Sequence, residues 1–222
     1  EFIEMLPAMR VRQYSIASSP LADPDRCVLT VAVVDAPAWC GHGQFHGLCS
    51  SYLARLRPHD PVPVAVRTPN VPFQPPADNA APVVMICAGT GLAPFRGFIE
   101  DRALRQRNGE PAGEALLFFG CDHPDVDFLY RDELAAWEAE GIVTVYPAYF
   151  RQPDGDVTFV QHRLWRERVR VRALIAAGAV LYLCGDGQLM APAVRETLAR
   201  MHQEAAGCSD AEAEEWMRMM ER

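Results

Sequence analysis

The sequence predicts two folded parts: a partial, antiparallel β-barrel over residues 1–78 and a doubly wound, parallel-sheet α/β domain over residues 79–222. Three observations support this prediction. Short β-rich runs with Pro and Gly between them fill the first part. Residues 69–82 are rich in Pro, Asn and Asp, which is typical of a linker. Beyond them, apolar strands alternate with helical segments, a pattern typical of βαβ units.

The elements of each part follow from these patterns. In the first part, closely spaced β-rich runs indicate an antiparallel sheet or barrel interrupted by one helix. The predicted strands are 12–17, 27–34 and 62–67, and the predicted helix is 48–56. In the second part the predicted strands are 83–87, 115–119, 142–148 and 180–184. The predicted helices are 94–107, 129–140, 160–177, 190–205 and 210–220, the last with Ser209 as its N-cap.

Composition excludes several classes of protein. The chain has 222 residues and a formal net charge of −8, which argues against a dedicated nucleic-acid binder. No apolar run is long enough to span a bilayer. The seven cysteines form no C-x-x-C pair, so we expect reduced thiols in a cytoplasmic protein rather than a zinc site or a disulfide scaffold.

A glycine-rich loop marks a candidate anion site. Gly89-Thr90-Gly91 follows an apolar strand and precedes a helix, whose first N–H groups attract anions. The alternative is a tight turn that binds nothing. A second turn, Cys184-Gly185-Asp186, follows another strand of the same predicted sheet. Because ligands lie at the carboxyl ends of parallel strands, two such turns favour a nucleotide crevice.

Four segments also carry a family resemblance. They are Arg12-Gln13-Tyr14-Ser15, Gly47-Leu48-Cys49-Ser50, the stretch from Gly89 to Arg96, and the stretch from Tyr182 to Asp186. Together they resemble the ferredoxin–NADP reductase-like module of diflavin reductases. The likeness is closest to the reductase part of self-sufficient cytochrome P-450 fusion proteins, and it covers essentially the whole chain.

The resemblance implies an FAD site in the first part. Arg12 would pair with the FAD pyrophosphate, because a guanidinium fork suits phosphate oxygens. Tyr14 would stack on the isoalloxazine ring, and Ser15 would form a hydrogen bond near flavin N5, the atom that accepts hydride. The second flavin segment would hold the FAD pyrophosphate on its backbone N–H groups. It consists of Gly47, Leu48, Cys49 and Ser50.

The resemblance also implies a nicotinamide nucleotide site in the second part. Gly89, Thr90 and Gly91 would hold the pyrophosphate of the nucleotide. Cys184 would lie beside nicotinamide C4, and Asp186 would belong to the same cofactor site. Ser15 and Cys184 are therefore the candidate catalytic residues, since the cofactors themselves carry the hydride.

The expected pocket for the adenosine 2′-phosphate departs from the family pattern. Phe150, Val157 and Phe159 stand where members selective for NADPH carry Ser, Lys and Tyr. Only Arg151 and Gln161 keep the pattern, so we expect relaxed specificity for NADPH or NADH, with NADH favoured. The alternative is that Arg151 suffices together with Arg163 or Arg166.

The resemblance implies an NAD(P)H-dependent flavoprotein reductase. Hydride would pass from NAD(P)H to FAD, and electrons would pass onward to an FMN-binding, flavodoxin-like domain and a haem monooxygenase domain. FMN and haem are expected only in other domains of one parent polypeptide. Judged by the family pattern, we expect the family's first barrel strand, connecting insert and C-terminal tail to lie outside this sequence. Two alternatives stay open: a truncated or non-catalytic regulatory relic that binds nucleotide, and a single-flavin ferredoxin-type reductase.

Overall fold

The computed structural model of the chain describes Met5, residues 11–68 and residues 73–220. The strands are β1 Asp35–Pro37, β2 Gln44–His46, β3 Val83–Ala88, β4 Ala115–Cys121, β5 Thr144–Tyr149 and β6 Val180–Cys184. The helices are α1 Leu48–Arg55, α2 Ala93–Arg107, α3 Arg131–Ala139, α4 Val160–Arg166, α5 Arg168–Ala176, α6 Met190–Ala206 and α7 Asp210–Met220. None of the described helices is long and apolar enough to cross a membrane.

The second part is built on a four-stranded parallel sheet in the order β5-β4-β3-β6. Its central strand β3 pairs with β4 on one side and with β6 on the other. Residues 83–87 of β3 are all buried, which explains the continuous apolar run in the sequence. The prediction of an α/β domain with a parallel sheet is therefore confirmed.

Helices cover both faces of this sheet. Phe95 and Ile99 of α2, with Leu134 of α3, pack on the face that carries Met85 and Leu117. Residues of α4, α5, α6 and α7 pack on the opposite face, against the alternate residues of β3 and β4. The predicted helix 160–177 is divided in two at Glu167, where α4 ends and α5 begins.

The first part departs from the prediction. None of the ranges 12–17, 27–34 and 62–67 forms a strand; β1 and β2 make the small antiparallel sheet instead. A single antiparallel bridge, Ile16 with Leu29, links the first two predicted strands. The hydroxyl of Ser18 accepts the hydrogen bond of the Val28 N–H, which a strand partner would otherwise accept. The described residues therefore show an antiparallel sheet without a barrel.

The predicted linker is partly packed. Residues 69–72 lie outside the described part of the chain, whereas residues 73–82 contact the α/β domain. The ring of Phe73 packs edge-on against Tyr182, with 5.6 Å between the ring centroids. The Tyr182 hydroxyl donates to the Gln74 carbonyl at 2.9 Å, and Arg105 of α2 donates to the Ala77 carbonyl at 2.8 Å. This segment therefore covers the edge of the core next to α2.

We predict that truncating the sheet core destabilises the chain strongly. Leu117 is completely buried, so Leu117→Ala removes packed methyl groups and should lower the free energy of unfolding by about 2–5 kcal/mol. Leu21, whose side chain is 58% exposed, offers the same substitution as a control and should change stability by less than about 0.5 kcal/mol. Urea denaturation measures both, and equal effects would contradict the assigned core.

Candidate nucleotide and flavin site

The glycine-rich loop lies at the carboxyl end of the central strand. Gly89 to Leu92 form a short 3-10 turn between β3 and α2, with Gly89 at a φ of 52° and Thr90 exposed. No heavy atom lies within 4 Å of the position that a Cβ of Gly89 would occupy, so a ligand can approach this backbone closely. Pro94 lies in the first turn of α2, where its missing N–H costs no helical hydrogen bond.

The second predicted turn touches the first. A Cβ at Gly91 would lie 2.2 Å from the carbonyl oxygen of Cys184, so only glycine lets the two loops meet. The contact arises because β6, which ends at Cys184, is the direct neighbour of β3 in the sheet. After β5 the chain crosses to the other side of β3 to form β6, so this edge is a topological switch point. Crevices for nucleotides in open α/β sheets lie at such points.

Cys184 lies at this edge as a neutral thiol. Its residue is partly buried, and burial raises the pKa of the thiol above its ordinary value. It pairs in register with Cys87, whose complete burial raises its pKa much further. A thiol that keeps its proton at neutral pH can pack against a ring and donate a weak hydrogen bond, but it does not serve as a base or a nucleophile.

Asp186 has a role inside the turn. Its Oδ1 accepts hydrogen bonds from the N–H groups of Gln188 at 2.6 Å and Leu189 at 3.0 Å. This carboxylate thereby satisfies N–H groups just before α6 begins at Met190. The Asp186 carboxylate thus binds N–H groups of its own turn, which the sequence did not predict.

The two flavin segments meet each other. The Cys49 side chain next to the Tyr14 hydroxyl, together with burial, raises the pKa of Tyr14 above its ordinary value. Arg12 lies close enough to Tyr14 for its positive charge to oppose that rise. Arg12 and Ser15 are exposed, as residues that contact a bound ligand would be in the free protein. The first and second flavin segments therefore form one surface.

Gly47 and Ser50 fix the start of α1. The buried Ser50 hydroxyl accepts the Val34 N–H at 3.1 Å and donates to the Gly47 carbonyl at 3.3 Å. A Cβ on Gly47 would lie 2.5 Å from that hydroxyl oxygen and 2.7 Å from Val34 Cβ, so glycine is required. The Ser50 side chain is thus committed to the turn, and the exposed Leu48 lies at the first helical position.

The predicted 2′-phosphate residues do not form a cluster of free cations. Arg151 pairs with Asp122, with 3.2 Å between Nε and Oδ2. Arg163 and Arg166 both pair with Asp154, at 2.9 Å and 2.6 Å. Gln161 is half-buried in the first turn of α4. Sequence reasoning missed these aspartates, although Asp154-Gly155-Asp156 lies within ten residues of both Arg163 and Arg151.

Two phenylalanines lie beside these ion pairs. The rings of Phe150 and Phe159 stack with 5.4 Å between their centroids and an interplanar angle of 18°. Each side chain is nearly half exposed, so the pair offers a flat apolar surface beyond the carboxyl end of β5. Val157 is fully buried and presents nothing to a ligand.

Sequence reasoning also missed the residues that join the two parts of the site. Arg96 of α2 donates to the Ala17 carbonyl, two residues after Ser15. Glu100 and Asp101 accept hydrogen bonds from Ser19. The signal available was the position of Arg96 at the end of the glycine-loop motif. Within the described residues, no group of three or more His, Cys, Asp or Glu side chains could hold a metal ion.

Two known protein families match the segments that form this site. A family model described as an oxidoreductase NAD-binding domain matches residues 85–196, which include both loops at the switch point. The chain belongs to this family. A second family model, an FAD binding domain, matches residues 1–52 and includes both flavin segments. FAD and a nicotinamide nucleotide, the two cofactors predicted from the sequence, are therefore confirmed at the level of the families.

Individual proteins similar to this chain are also oxidoreductases. A bifunctional cytochrome P-450/NADPH–P-450 reductase of Bacillus cereus is 43% identical over 216 residues, 97% of this chain and 20% of that protein. A self-sufficient cytochrome P-450 monooxygenase of Phanerodontia chrysosporium is 46% identical over 216 residues, 96% of this chain and 20% of that protein. A bifunctional cytochrome P-450/NADPH–P-450 reductase 1 of Bacillus subtilis is 42% identical over 220 residues, 99% of this chain and 21% of that protein.

These relatives confirm the resemblance described above. The chain spans about a fifth of the length of the curated relatives it matches. Its residues also fit the two cofactors physically. The open space over Gly89 leaves room for a pyrophosphate beside the backbone, and a guanidinium and an aromatic ring, those of Arg12 and Tyr14, are side-chain types that suit a flavin nucleotide.

We predict that Gly91→Ala separates the two loops and weakens nucleotide binding. The new methyl group would overlap the Cys184 carbonyl oxygen, and overpacking of this kind costs about 1–3 kcal/mol, which would correspond to roughly 5- to 150-fold in affinity. Gly187→Ala is the matched control, because no heavy atom lies within 4 Å of its Cβ position. Titrating each variant with the reduced nucleotide by fluorescence measures both affinities, and equal affinities would contradict the contact.

Proposed function

We propose that this chain is the part of a reductase that transfers hydride from a reduced nicotinamide nucleotide to FAD. The observation that carries the proposal is the contact between Gly91 and Cys184, which joins the phosphate loop to the predicted hydride-transfer edge at the sheet's switch point. Bound FAD would accept the hydride, and both cofactors carry the redox chemistry themselves. The task of the chain is to hold the two cofactors in an aligned pose and exclude water.

The proposed roles of the residues follow from their positions. Gly89, Thr90 and Gly91 would hold the nucleotide pyrophosphate on N–H groups before α2. Cys184 would pack beside the nicotinamide as a neutral thiol. Arg12 would pair with the FAD pyrophosphate, Tyr14 would stack on the flavin, and Ser15 would hold a hydrogen bond near its reactive nitrogen. The backbone around Gly47, Leu48, Cys49 and Ser50 would hold the remainder of the FAD pyrophosphate.

The proposal extends to the parent protein. We propose that residues 1–78 belong to a flavin-binding barrel that is only partly contained in this chain, and that residues 79–222 form the nucleotide domain. Electrons would pass from FAD to an FMN-binding, flavodoxin-like domain and then to a haem monooxygenase domain in the same polypeptide. The names of the relatives, which join a cytochrome P-450 to a reductase, support this arrangement.

Flavin uptake and reduction test the proposal directly. We expect the purified chain, incubated with FAD and then separated from unbound FAD, to remain yellow and to bleach under anaerobic conditions when NADH or NADPH is added. A control reaction without protein should keep its colour over the same period. A chain that binds nucleotide but takes up no FAD would instead support the regulatory relic, and a chain that binds neither would contradict both functions.

The electrostatics of the predicted adenosine pocket favour NADH. Three arginines lie near the Phe150–Phe159 pair, and three aspartates, Asp122, Asp154 and Asp156, pair with them, so the group offers no net positive charge to a doubly charged phosphate. The hydrogen bond from Arg166 lowers the pKa of Asp156 below its ordinary value, so this carboxylate is also ionised at neutral pH. A 2′-phosphate would meet these carboxylates, whereas the uncharged 2′-hydroxyl of NADH would not.

We predict a kcat/KM for NADH at least equal to that for NADPH. Asp154→Asn should raise the value for NADPH relative to NADH about fivefold or more, because it frees Arg163 from its carboxylate while Arg166 keeps Asp156, and a charged hydrogen bond contributes about 1.5–3 kcal/mol. Asp125→Asn, at an exposed aspartate paired with Arg131, is the matched control and should leave the ratio unchanged. A hundredfold preference of the unmodified chain for NADPH would refute the proposed pocket.

A further inference from the structure

Arg96 connects the nucleotide loop to the flavin segment. It lies in the first turn of α2, immediately after the loop Gly89–Leu92, and its side chain is only 11% exposed. Its Nη1 donates a hydrogen bond to the Ala17 carbonyl at 2.7 Å, across 79 positions of sequence. Since Ala17 follows Ser15 by two residues, this bond ties the end of the flavin segment to the start of the nucleotide domain.

The surroundings of Arg96 hold its guanidinium in one orientation. Glu133 of α3 accepts a hydrogen bond from Nη2, and Glu100 lies 3.4 Å from Nη1. The guanidinium carbon lies 5.0 Å from the centre of the Tyr130 ring and 5.8 Å from the centre of the Trp137 ring. A planar guanidinium between aromatic rings and carboxylates has far less freedom than an exposed arginine, so its position is well defined.

Tyr130 is itself held in place from both parts of the chain. Its hydroxyl lies 2.7 Å from the Thr30 hydroxyl, which belongs to the first part. Its backbone has a φ of 54°, a left-handed conformation that a bulky aromatic residue rarely adopts. This strained residue therefore carries both the ring over Arg96 and a second connection to the first part.

The same face of α2 holds the residues that follow Ala17. A Cβ on Gly97 would lie 3.2–3.3 Å from backbone atoms of Ser18, so the helix and this segment are in close contact. The buried Ser19 donates from its N–H to Glu100 at 2.7 Å and from its hydroxyl to Asp101 at 2.9 Å. Arg96 is thus the first and nearest to the loop in a row of contacts along α2.

We propose that Arg96 is a positioning residue that sets the distance between the nucleotide loop and the flavin segment. This inference rests on the proposed function. Hydride transfer requires the reacting atoms to lie roughly 3–3.5 Å apart, and an error of about 1 Å can cost about a hundredfold in rate. The path from Gly91 to Ser15 through the Arg96–Ala17 bond crosses only one turn of helix and two residues of the flavin segment.

If Arg96 served only to hold α2 in the fold, its loss would weaken nucleotide binding along with hydride transfer. A positioning role predicts that only hydride transfer suffers. The neighbours of Arg96 in α2, Phe95 and Ile99, are fully buried in the sheet core and hold the helix without it. Losing the guanidinium should therefore leave α2 and the nucleotide loop folded, while residues 17–19 lose their attachment. Nucleotide affinity should stay constant as the transfer rate falls.

The test compares Arg96→Met with Arg107→Met in the full chain. Arg107 lies on the same helix, is 53% exposed and pairs with Glu140, so it is the matched control. Stopped-flow reduction of bound FAD by NADH gives the limiting rate and the nucleotide Kd. For Arg96→Met we expect the rate to fall roughly 10- to 100-fold with Kd changed less than about twofold, and for Arg107→Met neither to change. Arg96→Lys, which keeps the charge but not the fork, should fall between the two.

Hydrogen–deuterium exchange tests the attachment of residues 17–19 to α2 without measuring catalysis. In Arg96→Met the N–H groups of Ala17 and Ser19 should exchange faster, while those of β3 and α2 stay protected. Unchanged exchange at residues 17–19, or a rise in Kd that accounts for the whole loss of rate, would overturn the role of Arg96. If the unmodified chain reduces no FAD, the proposed function fails, and exchange alone decides whether Arg96 holds the segment.

Discussion

The central strand β3 is the constraint on which the rest of the structure depends. It is paired along both edges and buried on both faces, so its neighbours β4 and β6 are fixed in register. Because all four strands run parallel, the loops after β3 and β6 must emerge at the same edge. The contact of Gly91 with Cys184 and the candidate nucleotide crevice follow from that arrangement.

Electrostatics then determines what each end of the crevice can bind. At the β3–β6 end, backbone N–H groups and a neutral thiol offer a surface suited to a pyrophosphate and an uncharged ring. At the β5 end, arginines are present, but Asp122, Asp154 and Asp156 neutralise them. An arginine at the β5 end therefore adds little attraction for a phosphate, because an aspartate already pairs with it.

The sequence alone predicted the α/β domain well, because its strands are long apolar runs and its helices have clear limits. Residues 180–184 and 210–220 coincide with β6 and α7, and Ser209 caps α7 as expected, with its hydroxyl 3.4 Å from the Glu212 nitrogen. The strands predicted for the first part were wrong because a short β-rich run becomes a strand only when a partner pairs with it. Residues 62–67, with Val64 and Val66 exposed, have no such partner among the described residues.

The site was predictable only where a local motif carries the information. The glycines of the loop and the second turn could be found because their spacing reports a backbone requirement. The contacts of Arg96 with Ala17, and of Arg166 with Asp154, join residues whose proximity depends on the tertiary fold or on a turn. The roles of Arg12, Tyr14, Ser15, Thr90 and Gln161 toward cofactors stay predictions, since the fold fixes their positions and not their ligands.

The close approach of Gly91 to the Cys184 carbonyl has a consequence for how this domain can vary. Two loops that are distant in sequence share one steric boundary, so neither can gain volume alone. A chimera that imports the glycine loop from another reductase would inherit a loop shaped for a different partner turn. Residues 89–92 and 184–186 therefore have to be exchanged together. Recombination that separates them would disrupt the crevice even if each loop could fold correctly by itself.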